Sequence, residues 1–395
     1  MKIKIAVVGS GLTGSIIARE FAEKNIKVDI YEKRKHIAGN CFDQKDLDSF
    51  THRYGPHLFH TSNKEVMKYL NRFTEFVPYS HKVKAFIDGQ FVPIPFSLAS
   101  LELTHPSYLQ KRITQKLLDA YKYGSKVSIF NLLESADKDL KDLGEFVYEK
   151  VFLGYSSKQW GVKNPLDLDK GVLNRIPISI NKDTNYFTDK YQFLPKKGYT
   201  NIISNILNHK NIKVFLNSNI NLNLENLSSS SQNIFLRRKN YNHIFFTGMI
   251  DELFGYKYGE LEYRSLLFKE SKAIQSDIQR PCLQLNYPNN YDFTRIIDYS
   301  YVSKALGKKP LFSRLVTEYP GKFKRESEDF NEAFYPLFTK KAREKYNEYR
   351  KNLNSISKVI TVCGRLGTYK YLDMDDAISA AFSVVRNSYL FRLIN

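Results

Sequence analysis

Cysteine is scarce in this chain, with three residues among 395. Cys41, Cys282 and Cys363 are odd in number and scattered. They offer neither a disulfide framework nor metal-ligand spacing, and three buried thiols in a reducing compartment are expected. Long apolar runs are missing too. None approaches the ~20 residues of a membrane span. The short apolar stretch after Met1 leads straight into a glycine turn, unlike a signal peptide. A cytoplasmic protein without a membrane span is the expectation. Acidic residues are few: 41 Asp and Glu face 60 Lys and Arg, a net charge of +19. That excess invites a nucleic-acid partner, but the lysines are dispersed and no nucleic-acid motif accompanies them. No nucleic acid is expected, and most of the cations are read as a solvated surface. His57 and His60 stand three apart without a third ligand at sensible spacing, which argues against a metal.

What is present is concentrated at the N-terminus. Lys2–Val8 reads as a buried strand and runs into Gly9-Ser10-Gly11-Leu12-Thr13-Gly14. An amphipathic helix follows to about Asn25, then a second strand, Lys27–Tyr31, ending in Glu32. This is the βαβ dinucleotide fingerprint in full context. Gly9 permits the tight turn, Gly11 lets backbone approach a pyrophosphate, and Gly14 lets helix pack on strand. The helix N-terminus offers free N–H groups and partial positive charge to the phosphates. Glu32 stands near the ~20-residue distance at which a carboxylate takes the ribose hydroxyls.

Downstream, Ala38-Gly39-Asn40 is a second small-residue turn, and Ser62-x-x-Glu65 predicts a capping box opening a short helix. Lys82–Ile87 and Gln90–Ile94 around Asp88-Gly89 predict a hairpin. Residues 101–173 are mostly helical in pattern, with Leu109, Ile113, Leu117, Leu118 and Tyr121 on one stripe. Thr200 is the expected N-cap of a helix through Asn208, and the strand Ile212–Leu216 follows. Residues 217–233, rich in Asn and Ser, read as a surface excursion without function. Short β-like runs recur over 263–317, residues 337–353 form a charged helix, and a strand–turn–helix unit closes the chain. Such units at both ends suggest a discontinuous Rossmann-type domain whose C-terminal unit returns to the first sheet.

Three more segments go beyond a generic dinucleotide binder: Tyr54-Gly55-Pro56-His57-Leu58-Phe59-His60-Thr61, Gly154-Tyr155-Ser156-Ser157-Lys158-Gln159-Trp160-Gly161, and Gly364-Arg365-Leu366-Gly367-Thr368-Tyr369-Lys370-Tyr371-Leu372-Asp373-Met374. With Arg175-Ile176-Pro177 and Thr294-Arg295-Ile296, in order over nearly the whole chain, they closely resemble the UDP-galactopyranose mutase family of the bacterial type. The resemblance implies an α/β fold of three parts. A discontinuous Rossmann-like FAD-binding domain would span 1–75, 196–250 and 331–395. An inserted helical bundle with a mobile substrate-closing segment would span 97–175, and an antiparallel β-sheet domain 76–96, 176–195 and 251–330. It implies bound FAD, active when reduced by NAD(P)H or another reductant, a nucleotide-sugar substrate (a UDP-sugar), and a homodimer. The implied reaction converts UDP-galactopyranose, or a close sugar analogue, to its furanose. Reduced flavin N5 attacks the anomeric carbon, the sugar ring opens on an iminium, and the ring recloses.

The resemblance also assigns roles. Arg175 and Arg295 match two diphosphate-binding arginines, a role suited to an always-charged, forked cation. With His60, which would lie near flavin N5, they form the expected catalytic set. Gly9, Gly11, Thr13, Gly14, Glu32, Lys33, Gly39, Asn40, His57, Leu58, Val214, Arg365, Leu372, Asp373, Met374 and Asp375 would hold the cofactor. Tyr155 would stack on the nucleobase beside Val151. Trp160 and Ser156 would line the diphosphate end, and Tyr186, Tyr335 and Tyr371 would ring the diphosphate. His81, Phe152 and Asn286 complete the substrate set, and Glu318 matches a carboxylate in the cleft. The chain departs from the family pattern at His81, where Asn is usual, at Val151 for Phe, at Ser156 for Thr, and in one extra residue within 162–174. N-acetylated, deoxygenated or longer sugars therefore stay open beside galactose. The competing readings are a flavin oxidase or dehydrogenase of the amine-oxidase type, a nicotinamide-dependent flavin reductase, and a basic binding protein without enzymatic activity.

Overall fold

The computed structural model describes residues 3–45, 50–168, 173, 176–222, 224, 234–274 and 280–394. Its first sheet is parallel throughout, in the order Ile212–Phe215, Lys27–Tyr31, Lys4–Val8, His243–Phe246, Ile360–Val362. Parallel sheets covered on both faces read as continuous apolar runs, and Ile5, Ala6, Val7, Val28 and Ile30 are fully buried accordingly. The helix Leu12–Glu23 lays Ile16, Ile17, Phe21 and Ala22 into the same core as Ile378, Ala381 and Val385 of the last long helix, Met374–Asn387. The chain's C-terminal strand thus returns beside His243–Phe246, as the sequence pattern predicts. The strand order reverses between Lys4–Val8 and His243–Phe246, and a crevice at such a switch point is where open α/β sheets bind ligands.

The second sheet has seven strands, in the order Tyr335–Pro336, Tyr263–Ile274, Phe312–Lys322, Arg295–Asp298, Gln284–Asn286, Val83–Ile87, Gln90–Ile94. It is antiparallel except where Gln284–Asn286 runs parallel to Val83–Ile87. The hairpin at Asp88-Gly89 forms as expected, both residues having positive φ (46° and 84°). The helices Leu98–Thr104, Ser107–Ala120, Ile129–Leu133 and Lys138–Val147 pack Leu101, Ile113, Leu117, Leu132, Leu143 and Val147 onto Val83, Ile87 and Val92 of this hairpin. A π-helical turn, Tyr148–Leu153, links them to the helix Gly154–Trp160.

Several local expectations are corrected. The helix Lys64–Leu70 is capped by Asn63, whose Oδ1 accepts from the N–H groups of Glu65 and Val66, while Ser62 turns to Asp189. The helix Tyr199–Leu207 starts after Gly198, and its first N–H groups are capped from a distance by the Asp43 carboxylate, at 2.6 Å from Tyr199 N and 2.9 Å from Thr200 N. Thr200 is therefore inside the helix, its hydroxyl bonded to Asp43 backbone. Leu118 faces solvent, because the buried stripe of its helix is Ile113 and Leu117. The three cysteines are buried and unpaired.

Candidate functional site

A cleft opens at the switch point of the parallel sheet. One wall is Gly9, Gly11, Leu12, Thr13 and Gly14, a second is Glu32, Lys33, Arg34, Gly39 and Asn40, and a third is Gly364, Arg365, Leu372, Asp373 and Met374. The glycines are there for space. A Cβ on Gly14 would stand 2.1 Å from the Gly9 carbonyl oxygen, and one on Gly39 2.9 Å from Gly11 Cα. Glu32 is buried, with Oε2 accepting from Ser10 N–H and hydroxyl and Oε1 from Arg34 N–H, each at 2.9 Å. Those bonds fix the carboxylate on the cleft wall. Across the cleft, the helix from Met374 presents its N-terminus, organised by an Asp373–Asp376 capping box. A glycine cradle, a fixed carboxylate and two helix N-termini on one cleft fit the pyrophosphate and ribose of a dinucleotide.

Residues 217–233 need revision here. Ser218, Asn219 and Ile220 line the cleft, so this part of the excursion belongs to the site, while Ser228–Ser231 fall outside the described residues. Val214, four residues before Ser218, pairs with Ile30 within the sheet and packs on its core. His57 lines the cleft, and loss of water around its imidazole holds the pKa down to about 3. Leu58 is not a lining residue but is packed with Leu194, Leu283 and Ile297 beneath the second sheet. Asp375 lies by Thr61, which hydrogen-bonds it, and burial raises its pKa. His60 Nδ1 is 2.9 Å from the Asp189 carboxylate and its ring stacks on Phe187 at 3.6 Å.

On the second sheet, Arg295 stands within the electrostatic reach of His57, which lines this cleft. In register, Arg295 stands between Glu318 and Asn286 on its two neighbours. Its Nε donates to Glu318 Oε2 at 2.7 Å, and Glu318 is fully buried with Oε1 unpartnered. Burial raises the Glu318 pKa, and Arg295 pulls it back. Tyr155 shares this field, its phenol pushed up to about 12 chiefly by loss of water. Tyr335 and Tyr371 stack at 5.5 Å and 3°, Trp160 sets its edge against both, and the Arg365 guanidinium lies over both rings at 5.3 and 5.1 Å. Arg365 also lines the dinucleotide cleft, so the two sites share a wall.

His81 is buried among Tyr79, Tyr186 and Phe187, hydrogen-bonded by Gln284, with Nδ1 unpartnered and its pKa lowered to about 3 by burial. Gln284 in turn donates to Asn286 Oδ1 at 3.0 Å. Val151 and Phe152 are buried on the π-helical turn, and Ser156 is buried on the helix after it. Arg175 and much of the segment expected to be mobile lie outside the described residues. Arg34, paired with Glu332 and stacked over Tyr54, escaped the sequence reading, as did Asp189 and Gln284. No motif signals them, because only the folded chain brings them to the site. Among the described residues no group of three or more His, Cys, Asp or Glu is placed to hold a metal, and no helix is long and apolar enough to cross a membrane.

Comparison with known proteins gives two family matches: UDP-galactopyranose mutase over residues 150–371 and an NAD(P)-binding Rossmann-like domain over 7–73. The chain belongs to the UDP-galactopyranose mutase family. It is 35% identical over 393 residues to a dTDP-fucopyranose mutase of Escherichia coli, covering 98% of this chain and 99% of that one. It is also 35% identical to a probable UDP-galactopyranose mutase of Klebsiella pneumoniae, over 95% and 92% of the two chains. The fold matches a crystal structure of reduced UDP-galactopyranose mutase with a TM-score of 0.70 at 15% identity, covering 100% and 96% of the chains. A putrescine oxidase shares the architecture at a TM-score of 0.54 and 9% identity, over 98% and 99% of the chains, so the amine-oxidase likeness is one of fold. Family and cleft together imply a flavin cofactor.

Proposed function

We propose that the protein interconverts the pyranose and furanose forms of a nucleotide-linked hexose, with FAD in the glycine-lined cleft and the nucleoside diphosphate against Tyr155, Trp160 and Arg295. The observation that carries this reading is the shared wall. Arg365 lines the dinucleotide cleft while its guanidinium covers the Tyr335–Tyr371 stack beside Trp160. Bound and reduced, FAD supplies a nucleophile for the anomeric carbon.

The chain's own residues do the rest. Arg295 stabilises the charge that develops on the departing diphosphate. Its ion pair engages Nε, leaving the Nη groups as phosphate donors. Tyr335 and Tyr371 add neutral O–H donors. Burial raises the Tyr335 pKa, which keeps its proton in place. Asp189 accepts from Nδ1 of His60 and so fixes the ring's orientation, leaving Nε2 as the nitrogen to meet the flavin. Arg175 is proposed as the second diphosphate cation. NAD(P)H or another reductant would keep the flavin reduced, and a cytoplasmic homodimer with the three domain spans given above, except that Tyr335–Pro336 joins the second sheet, completes the proposal.

His81 supports a second sugar. A neutral imidazole packed among Tyr79, Tyr186 and Phe187 is a poorer partner for a hydroxyl-rich sugar than an Asn amide, which suits a 6-deoxyhexose such as fucose. The test incubates dithionite-reduced protein with UDP-galactose and dTDP-fucose in both ring forms and separates pyranose from furanose by chromatography. Conversion that requires reduction is the expected result, and the preferred donor names the sugar. Conversion by oxidised protein with oxygen uptake, or none with any donor, would overturn the proposal.

A further inference from the structure

The helix Gly154–Trp160, which carries Tyr155, Ser156 and Trp160, is fastened to the second sheet at two places that the reaction itself does not use. Near its middle, Lys158 Nζ donates to three backbone carbonyls, of Tyr287 at 2.6 Å and of Asn289 and Phe293 at 2.9 Å each. These carbonyls belong to the loop joining Asn286 to Arg295, so the ammonium gathers the turn that sets where Arg295 begins. One turn earlier the helix touches the same loop backbone to backbone, since a Cβ on Gly154 would stand 1.8 Å from the Pro288 carbonyl oxygen.

At the other end, Arg264 is buried and donates from Nε to the Gln159 carbonyl at 2.9 Å and from Nη2 to the Lys158 carbonyl at 3.0 Å. It closes the helix C-terminus with a cation, which complements the helix dipole. Gly161, left-handed at φ 66°, makes room, because a Cβ there would lie 2.3 Å from Arg264 Nη1. Arg264 itself pairs in register with Tyr335. One cation thus ties the helix to the loop that leads into Arg295, the other to the strand paired with Tyr335.

We propose that Lys158 and Arg264 are positioning residues that fix the Tyr155–Trp160 helix at a set distance from Arg295 and Tyr335, and so set the width of the diphosphate cleft. The inference rests on the reading that this cleft takes a nucleoside diphosphate. Loss of water holds the Lys158 ammonium down to about 8 and the Arg264 guanidinium to about 10, so both cations are held at a cost that their hydrogen bonds offset.

Two variants test the clamp by different routes. Lys158→Met removes the cation, whereas Gly154→Ala pushes the loop away without changing charge. Binding of UDP, and of dTDP in parallel, is measured by titration calorimetry. Flavin content reports folding, and the emission of Trp160, the single tryptophan, reports the helix position. Both variants should bind the preferred nucleotide on the order of ten-fold more weakly, with flavin retained and Trp160 emission shifted. Lys158→Arg should recover part of the loss. Unchanged affinity in both variants, or a loss confined to one of them, overturns positioning in favour of simple charge or simple packing. If Lys158→Met sheds its flavin, Gly154→Ala decides alone. Wild-type protein that binds neither nucleotide removes the diphosphate reading, and the clamp with it.

Discussion

Replacing Glu318 by Gln should make the protein less stable and its grip on a nucleoside diphosphate tighter. In the resting protein the Glu318 carboxylate is the buried counter-charge of Arg295, with side chains 0% and 15% exposed and a 2.7 Å contact. Two unit charges ~4 Å apart attract by ~4 kcal/mol at an effective dielectric constant near 20. Gln keeps an acceptor for Arg295 Nε but loses that attraction. Part of the loss is recovered because a neutral amide costs less to bury than a carboxylate, whose pKa burial already raises. A net destabilisation of ~1–3 kcal/mol follows, read as a fall in the melting temperature of the protein without nucleotide. The unpaired guanidinium then meets the diphosphate without a competing anion, so UDP or dTDP affinity by calorimetry should rise at least ~10-fold. Tighter binding before the chemical step does not speed it, and turnover should fall. A Glu318→Gln protein that binds nucleotide no tighter than wild type would refute this account of the pair.

Glu32→Ala should shed flavin during purification, because it removes the carboxylate that Ser10 and Arg34 hold on that wall of the cleft; full cofactor content by absorbance would refute its role. His81→Asn should move the donor preference towards UDP-galactose, read as a change in the ratio of kcat/KM values, and an unaltered ratio would remove His81 from sugar choice. The chain should also be acid-sensitive. Burial holds His52 and His81 at a pKa of about 3 and His243 at about 4, against ~6.5 for the unfolded chain. A base depressed in the folded state gives stability that is complete above the unfolded pKa. It is lost as pH falls towards the folded value, by ~1.4 kcal/mol per pH unit for each group. Urea unfolding at pH 7, 6 and 5 should show that decline, and a flat profile would contradict neutral buried imidazoles.

The parts of this molecule that the sequence announces are those whose physics is local. Gly9 to Gly14 followed by an apolar helix is a turn, a phosphate cradle and a packing surface within one short segment, and it folds as read. Asp88-Gly89 forces its hairpin for the same reason. Most misreadings are cases where a distant group won. Thr200 reads as a cap until Asp43 arrives from another part of the chain to do it. Ser62 loses its capping role to Asn63 because Asp189 takes its hydroxyl. Ser218–Ile220 follow a short edge strand with no motif of their own, and only the sheet order brings them to the cleft. Lys158 stood in plain view inside a signature segment, yet nothing in a sequence says that a lysine will face three carbonyls rather than water.

The cofactor cleft is framed by residues 8–14 and by residues 364–374, and the final strand of its sheet is Ile360–Val362. A chain emerging from the ribosome therefore cannot hold flavin until residues 360–374 have been made, and the growing polypeptide must keep its first βαβ unit waiting with one flank of the sheet bare. Loading waits for that segment, and ending the chain before Gly364 should yield a colourless protein even with residues 9–14 intact.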